Sequence, residues 1–577
     1  MNSQALRTSM MVAEELSVVS ASPQEEDCPL QSQDESVFTF EKIVNVIGHF
    51  GRYQQILIYL LCLLAIPNGW HSLCQVFVSA TPDFHCSVRS EEIQFAIQGV
   101  NISEEQLWNA TLPREVGAQG MVSWSQCQKY DLEQARVNLS LGLVDWSWYV
   151  NQRNNGSHQV VSCQFWWYDK SRFLSTTVTE WDIVCDRHWL RQLDTTFYMA
   201  GAIIGSSGMG WLADIFGRKN ILLCNLFLMI LCSLLAAFSP AFWFFLIMRF
   251  LIGIFCPGVY SIAYILGMEF VGASKRHLIG LIIGICFIVG HITLTGMAYV
   301  VREWRKLQLF IAVPPLGCLI YCWFIPESPR WLILKNRTVE AEKIIRKVSH
   351  INKVGLPKTI ILITDSKNKS KTVILRKHTL LDLLKTPNLR RNTLTVFISW
   401  FSISCGYYGL ALNTHNLSGE PYLNFLLTGL VEIPAAAFFF VIVDRLGRKR
   451  IILGTEVLAG VTCVAVAFIP DAFGWINVTL CLVGRFFISM AFGVMYLYSA
   501  EIFPTALRTT GIGCAQMFGR LGAIACQWVI LLADFWRPSP FVTFGIMSFA
   551  AGVTSLFLPE TLGRTLPETL EDGEKMV

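Results

Sequence analysis

The sequence predicts an all-α membrane protein: twelve transmembrane helices in two pseudo-symmetric six-helix halves. Three observations carry the prediction. Of 577 residues, 53% are hydrophobic and only 15% charged, a balance that soluble globular chains do not show. Twelve apolar runs approach or exceed the length of about 20 residues that a helix needs to cross a bilayer. Four motifs also recur at an offset of roughly 230 residues, the mark of an internal duplication. Asp214 to Lys219 returns as Asp444 to Lys449, and Arg249-Phe250 as Arg485-Phe486. Glu269 and Arg276 return as Glu501 and Arg508, and Pro326-Glu327-Ser328 as Pro559-Glu560-Thr561.

Taken in order, residues 1–37 are polar and acidic, with too little apolar content to bury, and read as a disordered cytoplasmic tail. No signal peptide is expected before the first apolar run. Phe38 to Tyr53 has helical apolar spacing and is expected along the inner membrane surface. The apolar runs fall at 55–76, 195–213, 220–239, 242–266, 278–300 and 307–325 in the first half, which extends over 38–325. In the second half, 392–560, they fall at 392–412, 423–443, 451–470, 475–498, 511–533 and 539–558. Between the halves, 326–391 is a basic cytoplasmic linker in which Val339 to Val348 reads as an amphipathic helix, on the inner leaflet or beneath the bundle. Residues 561–577 form a second cytoplasmic tail.

Lysines and arginines cluster in the connections that hold Arg218, Lys275, Arg330 to Arg391 and Arg445 to Arg450, which places those connections and both termini in the cytoplasm. The segment 77–190 is then a large glycosylated extracellular loop. It carries the sequons of Asn101, Asn109, Asn138 and Asn155, and four cysteines, Cys86, Cys127, Cys163 and Cys185. An even set in an oxidising compartment suggests two disulfides, and four cysteines permit three pairings. Most of the other cysteines among the 18 lie in apolar runs as small hydrophobes.

Several classes of function are excluded. The net charge of +4 is spread over short connections, so no nucleic-acid partner is expected. No Gly-x-x-x-x-Gly-Lys-Ser/Thr run is present, no metal-ligand spacing occurs, and no nucleophile stands with a base and an orienting group. The chain is expected to be no enzyme and to need no cofactor.

The duplicated charges end neighbouring spans on one face. Asp214, Arg218, Glu269, Arg276, Glu327 and Arg330 are expected in one ion-pair network, and Asp444, Arg448, Glu501, Arg508 and Glu560 in its counterpart. Networks closed when the halves face outward and broken when they face inward would form a bistable gate. The plainer reading is that these charges orient loops and anchor helix ends.

Further motifs carry a resemblance. Gly48-His49-Phe50-Gly51-Arg52-Tyr53-Gln54 precedes the first span and Trp181-Asp182-Ile183-Val184-Cys185-Asp186 the second. They are joined by Pro326-Glu327-Ser328-Pro329-Arg330-Trp331-Leu332, Tyr407-Tyr408-Gly409-Leu410, Glu432-Ile433-Pro434-Ala435 and Ala500-Glu501-Ile502-Phe503-Pro504-Thr505. On these the chain resembles the major facilitator superfamily, and within it the organic cation, organic anion and carnitine transporters, solute carrier family 22. Sugar porters share some of the blocks but lack the cysteine-bearing first loop. The resemblance implies a multi-pass plasma-membrane carrier that moves small organic ions by alternating access, in symport or exchange. Its partners would be a small organic solute, the lipid bilayer, and a coupling ion or counter-substrate. An organic cation carrier and a non-transporting receptor or scaffold of the same fold are the alternatives.

Two charges inside predicted spans bear on the solute, because an ionisable residue at that depth costs at least about 2.5 kcal/mol. Glu432 matches the family's cation carriers and Arg520 its anion carriers, a combination found in carnitine-type members. Arg520 is therefore expected to bind an anionic group. The competing reading is that Glu432 and Arg520 neutralise one another. Tyr260, Tyr264, Trp400, Tyr407, Tyr408 and Tyr496 are expected to wall the cavity, where aromatic faces suit both ammonium groups and flat heteroaromatic solutes. His291, alone in the fifth span, reads as a packed or hydrogen-bonded side chain.

Overall fold

A computed structural model describes residues 37–38, 46–48, 50–87, 108, 112–116, 122–130, 160–272, 275–356, 361–362, 380–416, 419–470, 473–505, 507–564 and 566–576. The sequons of Asn101, Asn109, Asn138 and Asn155, nearly all of the amino-terminal tail and half of 38–53 lie outside the described residues.

Among the described residues, twelve helices are long and apolar enough to span a bilayer. In the first half they are Arg52–Val78, Cys185–Phe216, Arg218–Ala237, Phe242–Phe270, Leu278–Val300 and Trp304–Phe324. In the second they are Pro387–Leu412, Pro421–Leu446, Arg448–Ala467, Gly474–Ile502, Arg508–Asp534 and Ser539–Phe557. Each coincides with an apolar run, and they are numbered here in that order. Packing repeats with the duplication. Span 1 lies against span 5 as span 7 does against span 11, span 2 against span 4 as span 8 against span 10, and span 3 against span 6 as span 9 against span 12.

The halves meet where span 2 packs on span 11 and span 5 on span 8. Cross-half polar contacts gather toward the end that bears the long cysteine-rich segment, called here the loop end. Arg172 pairs with Glu420 at 3.3 Å, the Tyr422 hydroxyl donates to the Arg172 carbonyl at 3.2 Å, and His188 meets Asp534 at 2.7 Å. Phe77 stacks on Tyr422 and meets Phe425 edge-on. In the cysteine-rich segment, short antiparallel strand pairs such as Phe84–Cys86 with Trp166–Tyr168 hold the chain. The disulfides are Cys86–Cys163 and Cys127–Cys185, which selects one of the three pairings.

At the opposite, linker end, the duplicated blocks make two equivalent turns. Span 2 ends at Gly217 with φ +103°, and span 3 starts at once. The first N–H groups of a helix have no intrahelical partner, and here the Glu327 carboxylate accepts from Arg218 N at 3.0 Å and Lys219 N at 3.2 Å. The second half repeats the device: Gly447 has φ +85°, and Glu560 accepts from Arg448 N at 2.8 Å and Lys449 N at 3.2 Å. A Cβ at Gly217 would run into the Glu327 carboxylate as well as force a backbone that only glycine adopts readily. Gly217→Ala is expected to cost about 1–3 kcal/mol, read as a lower melting temperature of the purified protein.

The linker helix Thr338–Asn352 buries Ala341, Ile345 and Val348. Asn352 donates to the Ile47 carbonyl and to Gln54, and accepts from Tyr53 N, so the helix packs beneath the start of span 1. The carboxy-terminal segment is docked too. Glu574 accepts from Asn388 N at 3.0 Å and Leu389 N at 2.9 Å, capping span 7. Partial burial pushes the Glu574 carboxyl up, but hydrogen bonds from Thr386, Asn388 and Leu389 outweigh it and hold the group below its ordinary value. The stability it lends is therefore present at neutral pH and lost on acidification. Glu574→Gln is expected to weaken the cap and flatten that acid sensitivity, as followed by hydrogen exchange at residues 388–390.

Candidate functional site

Two buried ion pairs occupy equivalent places in the halves. In the first, Arg249 of span 4 binds Asp194 of span 2, both about 1% exposed. Ser79 donates to Asp194 at 2.8 Å, and Arg249 also reaches the His71 carbonyl at 3.2 Å and lies over the Tyr198 ring. In the second, Arg485 of span 10 binds Glu432 of span 8, while its guanidinium lies 3.5 Å from the centroid of the Tyr407 ring. The Tyr407 hydroxyl donates to both Glu432 oxygens at 3.0 and 3.1 Å, and His291 of span 5 stands 3.4 Å from the same carboxylate. Buried charges need such partners, because desolvation costs several kcal/mol per ion.

Arg485 from span 10, not Arg520, is the counter-charge of Glu432, which answers the competing reading in which Glu432 and Arg520 neutralise one another. Tyr407 does not wall a cavity, because its hydroxyl is spent on Glu432. Arg249, Arg485 and Asp194 were the missed residues. The signal was present: Arg249-Phe250 and Arg485-Phe486 are intramembrane charges at duplicated positions, and such charges are functional candidates by default.

Arg520 sits midway along span 11, half-buried, and donates to the Tyr408 hydroxyl at 3.2 Å. Among the described residues no carboxylate lies within ion-pair distance. Its electrostatic neighbours are the phenols of Tyr408 and Tyr496 from the second half and Tyr198 from the first, and Tyr260 of span 4 also senses it. The group is placed by close helix packing: a Cβ at Gly522 would run into the Phe401 carbonyl, so only glycine lets span 11 lie this close to span 7. Tyr260 and Tyr264 are half-buried and Tyr496 is 39% exposed, and of these Tyr260 and Tyr496 are electrostatic neighbours of Arg520. Trp400 is 2% exposed, with its ring edge-on to Tyr496 at 4.6 Å and its Nε1 donating to Ser499 at 2.9 Å. It supports Tyr496 from behind.

At the linker end, Arg218 pairs with Asp214 at 2.8 Å and Glu269 at 3.2 Å, and Arg448 with Asp444 at 3.1 Å and Glu501 at 3.2 Å. Each network closes within its own half. Among the described residues none of Arg276, Arg330 and Arg508 has a carboxylate within 4.0 Å; Arg330 acts on Glu269 only from farther away, and Arg508 donates instead to the Phe503 carbonyl and Thr505. The reason is geometric, since Glu327 and Glu560 are turned toward helix N-termini rather than toward these arginines.

The "Sugar (and other) transporter" family profile matches residues 173–572. The chain is 36% identical over 541 residues to the "Organic cation transporter protein" of Drosophila melanogaster, covering 93% of this chain and 94% of that protein. It is 35% identical over 552 residues to "Solute carrier family 22 member 21" of Mus musculus, covering 93% of each. Among solved structures it is similar in fold to the inward-open xylose transporter XylE from E. coli, with a TM-score of 0.54 and 15% identity over 90% of this chain and 99% of that one. Twelve spans in two like halves, with buried charges where the halves meet, agree with these matches. The chain is a membrane transporter of the major facilitator fold, not an enzyme, and it belongs to solute carrier family 22.

Proposed function

We propose that the protein is a plasma-membrane carrier, with both termini in the cytoplasm, for small organic solutes that bear an anionic group. Zwitterions, organic anions and vitamin-like heteroaromatic solutes form that class. Arg520 carries the reading: it is a guanidinium at the interface of the halves, ringed by phenols from both, with no carboxylate partner among the described residues. Carriers of this architecture bind at the repeat interface and work by rocking one half against the other. Tyr260, Tyr264, Tyr408 and Tyr496 supply flat apolar faces and hydroxyls beside the cation. The loop end is the extracellular side in this reading, supported by its disulfides and by the basic residues of the linker end. The halves touch at the loop end, so the carrier faces inward. The gate then consists of those extracellular contacts, with the linker-end networks bracing each half.

One observation favours a second reading, an organic cation carrier: a relative at 36% identity is named for organic cations. Uptake by expressing cells of a labelled panel of cations, anions, zwitterions and vitamins decides between them. Uptake confined to solutes with an anionic group supports the first reading, and uptake confined to cations overturns it. Surface protein that binds a solute when purified yet shows no flux in vesicles would point to a receptor. Glycosidase treatment checks the orientation: a mass shift lost on replacing Asn101, Asn109, Asn138 and Asn155 with glutamine places the loop outside.

A further inference from the structure

Span 9 carries a carboxyl that neither the charge networks nor the solute site uses. Glu456 is 1% exposed, and neither of its side-chain oxygens has a hydrogen-bond partner. Among the described residues no cation lies within ion-pair distance of it. The buried carboxylates Asp194 and Glu432, by contrast, each have an arginine. An ionisable side chain inside a span is a candidate for function by default, and this one lacks the partner that would make it structural.

The duplication supplies an internal control. Glu456 stands where Leu226 stands in the first half, each nine residues beyond the turn glycine of its half, Gly447 or Gly217. Leu226 is likewise 1% exposed and belongs to the apolar core. Span 3 packs on span 6 as span 9 packs on span 12. A leucine therefore serves the same packing, and the carboxyl is an addition that packing does not require.

Three spans enclose the group. A Cβ on Gly552 of span 12 would lie 2.8 Å from Val457 and 3.3 Å from the Glu456 Cβ, so span 12 presses closely on span 9 at this level. From span 7, Ser399 is the side chain that acts on the carboxyl, and its fully buried hydroxyl is engaged nowhere else. Ser399 precedes Trp400, which backs Tyr496 beside Arg520. Span 7 thus serves the solute site and faces Glu456 as well.

The charges on the packed elements are all directed elsewhere. Span 12 contains no ionisable residue. In span 10, Arg485 is held by Glu432 of span 8 and Glu501 by Arg448, which also pairs with Asp444 of span 8. Cys481 of span 10 acts on Cys463 of span 9. On span 7, Arg390 is exposed, Arg391 acts on Glu574, and Tyr407 and Tyr408 are bonded to Glu432 and Arg520. Lys449 and Arg450 of span 9 itself lie at least about 9 Å back along the helix. An ionised carboxylate presents about four acceptor sites, and left unpaired in such surroundings it takes a proton instead. Glu456 is therefore the neutral acid in this conformation. A metal ion in place of the proton would need several oxygens around it, whereas Ser399 offers one.

We propose that Glu456 is the carrier's proton site: it holds a proton while span 7 lies against spans 9 and 12 as here, and passes it to water when span 7 moves away in the transport cycle. A glutamic acid in water ionises near a pH of about 4.3, so at neutral pH opening releases the proton and repacking takes one up. A ligand held by one conformation shifts the population toward it, so acid favours the packed conformation and alkali the opened one. The proton is thereby the coupling or regulating ion. The inference rests on the alternating-access reading but not on the identity of the solute.

Two readouts on the full chain in nanodiscs, without solute, test it. Infrared spectra at about pH 7.5, roughly three units above the ordinary glutamate value, should contain a carbonyl band of a protonated carboxyl that is missing from Glu456→Gln. Spin labels carried by non-canonical residues at Leu394 of span 7 and Phe468 just beyond span 9, both exposed, report how the two spans lie. One linked proton changes the ratio of two conformations by at most tenfold per pH unit, and a change of at least about threefold is expected between about pH 6 and 8.5. The change should vanish in Glu456→Gln, which mimics the neutral acid. It should vanish too in Glu456→Leu, which installs the first half's side chain and serves if the glutamine variant does not fold. A band that persists in both variants, distances independent of pH in the wild type, or a pH response that survives in both variants overturns the proposal. Distances that answer to sodium at fixed pH in the wild type and in neither variant overturn it in favour of a metal cation. A panel that yields no uptake of anionic solutes beside an intact pH response would sink the solute reading alone.

Discussion

Arg485→Ala is expected to deplete the folded protein from the membrane, and Arg249→Ala to do the same. Each arginine is fully buried and is the principal counter-charge of a carboxylate. Removing it strands Glu432 or Asp194 in a site that water does not reach, and breaking a buried pair costs about 3–5 kcal/mol. That is a large fraction of the roughly 5–15 kcal/mol by which folded proteins are stable. Arg485→Ala also strips the Tyr407 ring and carbonyl of their cation. An internal control follows: Arg485→Met combined with Glu432→Gln removes both charges and should recover a large part of the loss. Surface biotinylation and melting of the purified protein measure the effect. A single variant as stable as the wild type would show that these pairs contribute little to the fold, and a double variant no better than the single would show that charge is not the issue.

Arg520→Asp should behave in the opposite way, leaving the fold intact and changing the solute. Because no carboxylate among the described residues depends on Arg520, its loss is expected to move the melting temperature little, while Tyr408 loses one hydrogen-bond donor. Removing one partner of a desolvated, hydrogen-bonded charge pair costs about 2–5 kcal/mol, and each 1.4 kcal/mol is tenfold in affinity. Uptake of an anionic or zwitterionic solute should therefore fall by a factor between about 30 and several thousand. The reversed charge should at the same time admit organic cations. Arg520→Lys separates geometry from charge: a lysine keeps the attraction but not the two-pronged contact, so an intermediate loss is expected. Unchanged selectivity in Arg520→Asp at equal surface level would remove this residue from the binding site.

The contrast between these two predictions shows how far the residues could be read before the fold was known. Spans, their number and their pairing into halves follow from local quantities, the length of an apolar run and the recurrence of a motif, and the packing of span 1 on 5 and 7 on 11 repeats accordingly. The amphipathic spacing of Val339 to Val348 was likewise enough to expect the helix Thr338–Asn352. Which charge meets which was not local. Glu432 and Arg520 stood out as lone ionisable residues in their runs, but Glu432 lies 53 residues from the Arg485 that holds it, and only the crossing of spans 8 and 10 brings them together. His291 was read as a packed side chain because nothing near it in the chain titrates, and its carboxylate arrives from the other half.

The sequence by itself determined the membrane class, the twelve spans, the duplication and the family, since these depend on hydrophobicity and motif identity summed along the chain. Only the tertiary structure decided the rest: that Cys86 joins Cys163, that Glu327 and Glu560 cap helices, that Arg485 rather than Arg520 neutralises Glu432, and that two histidines face carboxylates across the halves. The physical reason is that pairing energy falls steeply with separation and depends on burial. It is therefore set by which helix faces touch, and a linear chain does not contain that distance.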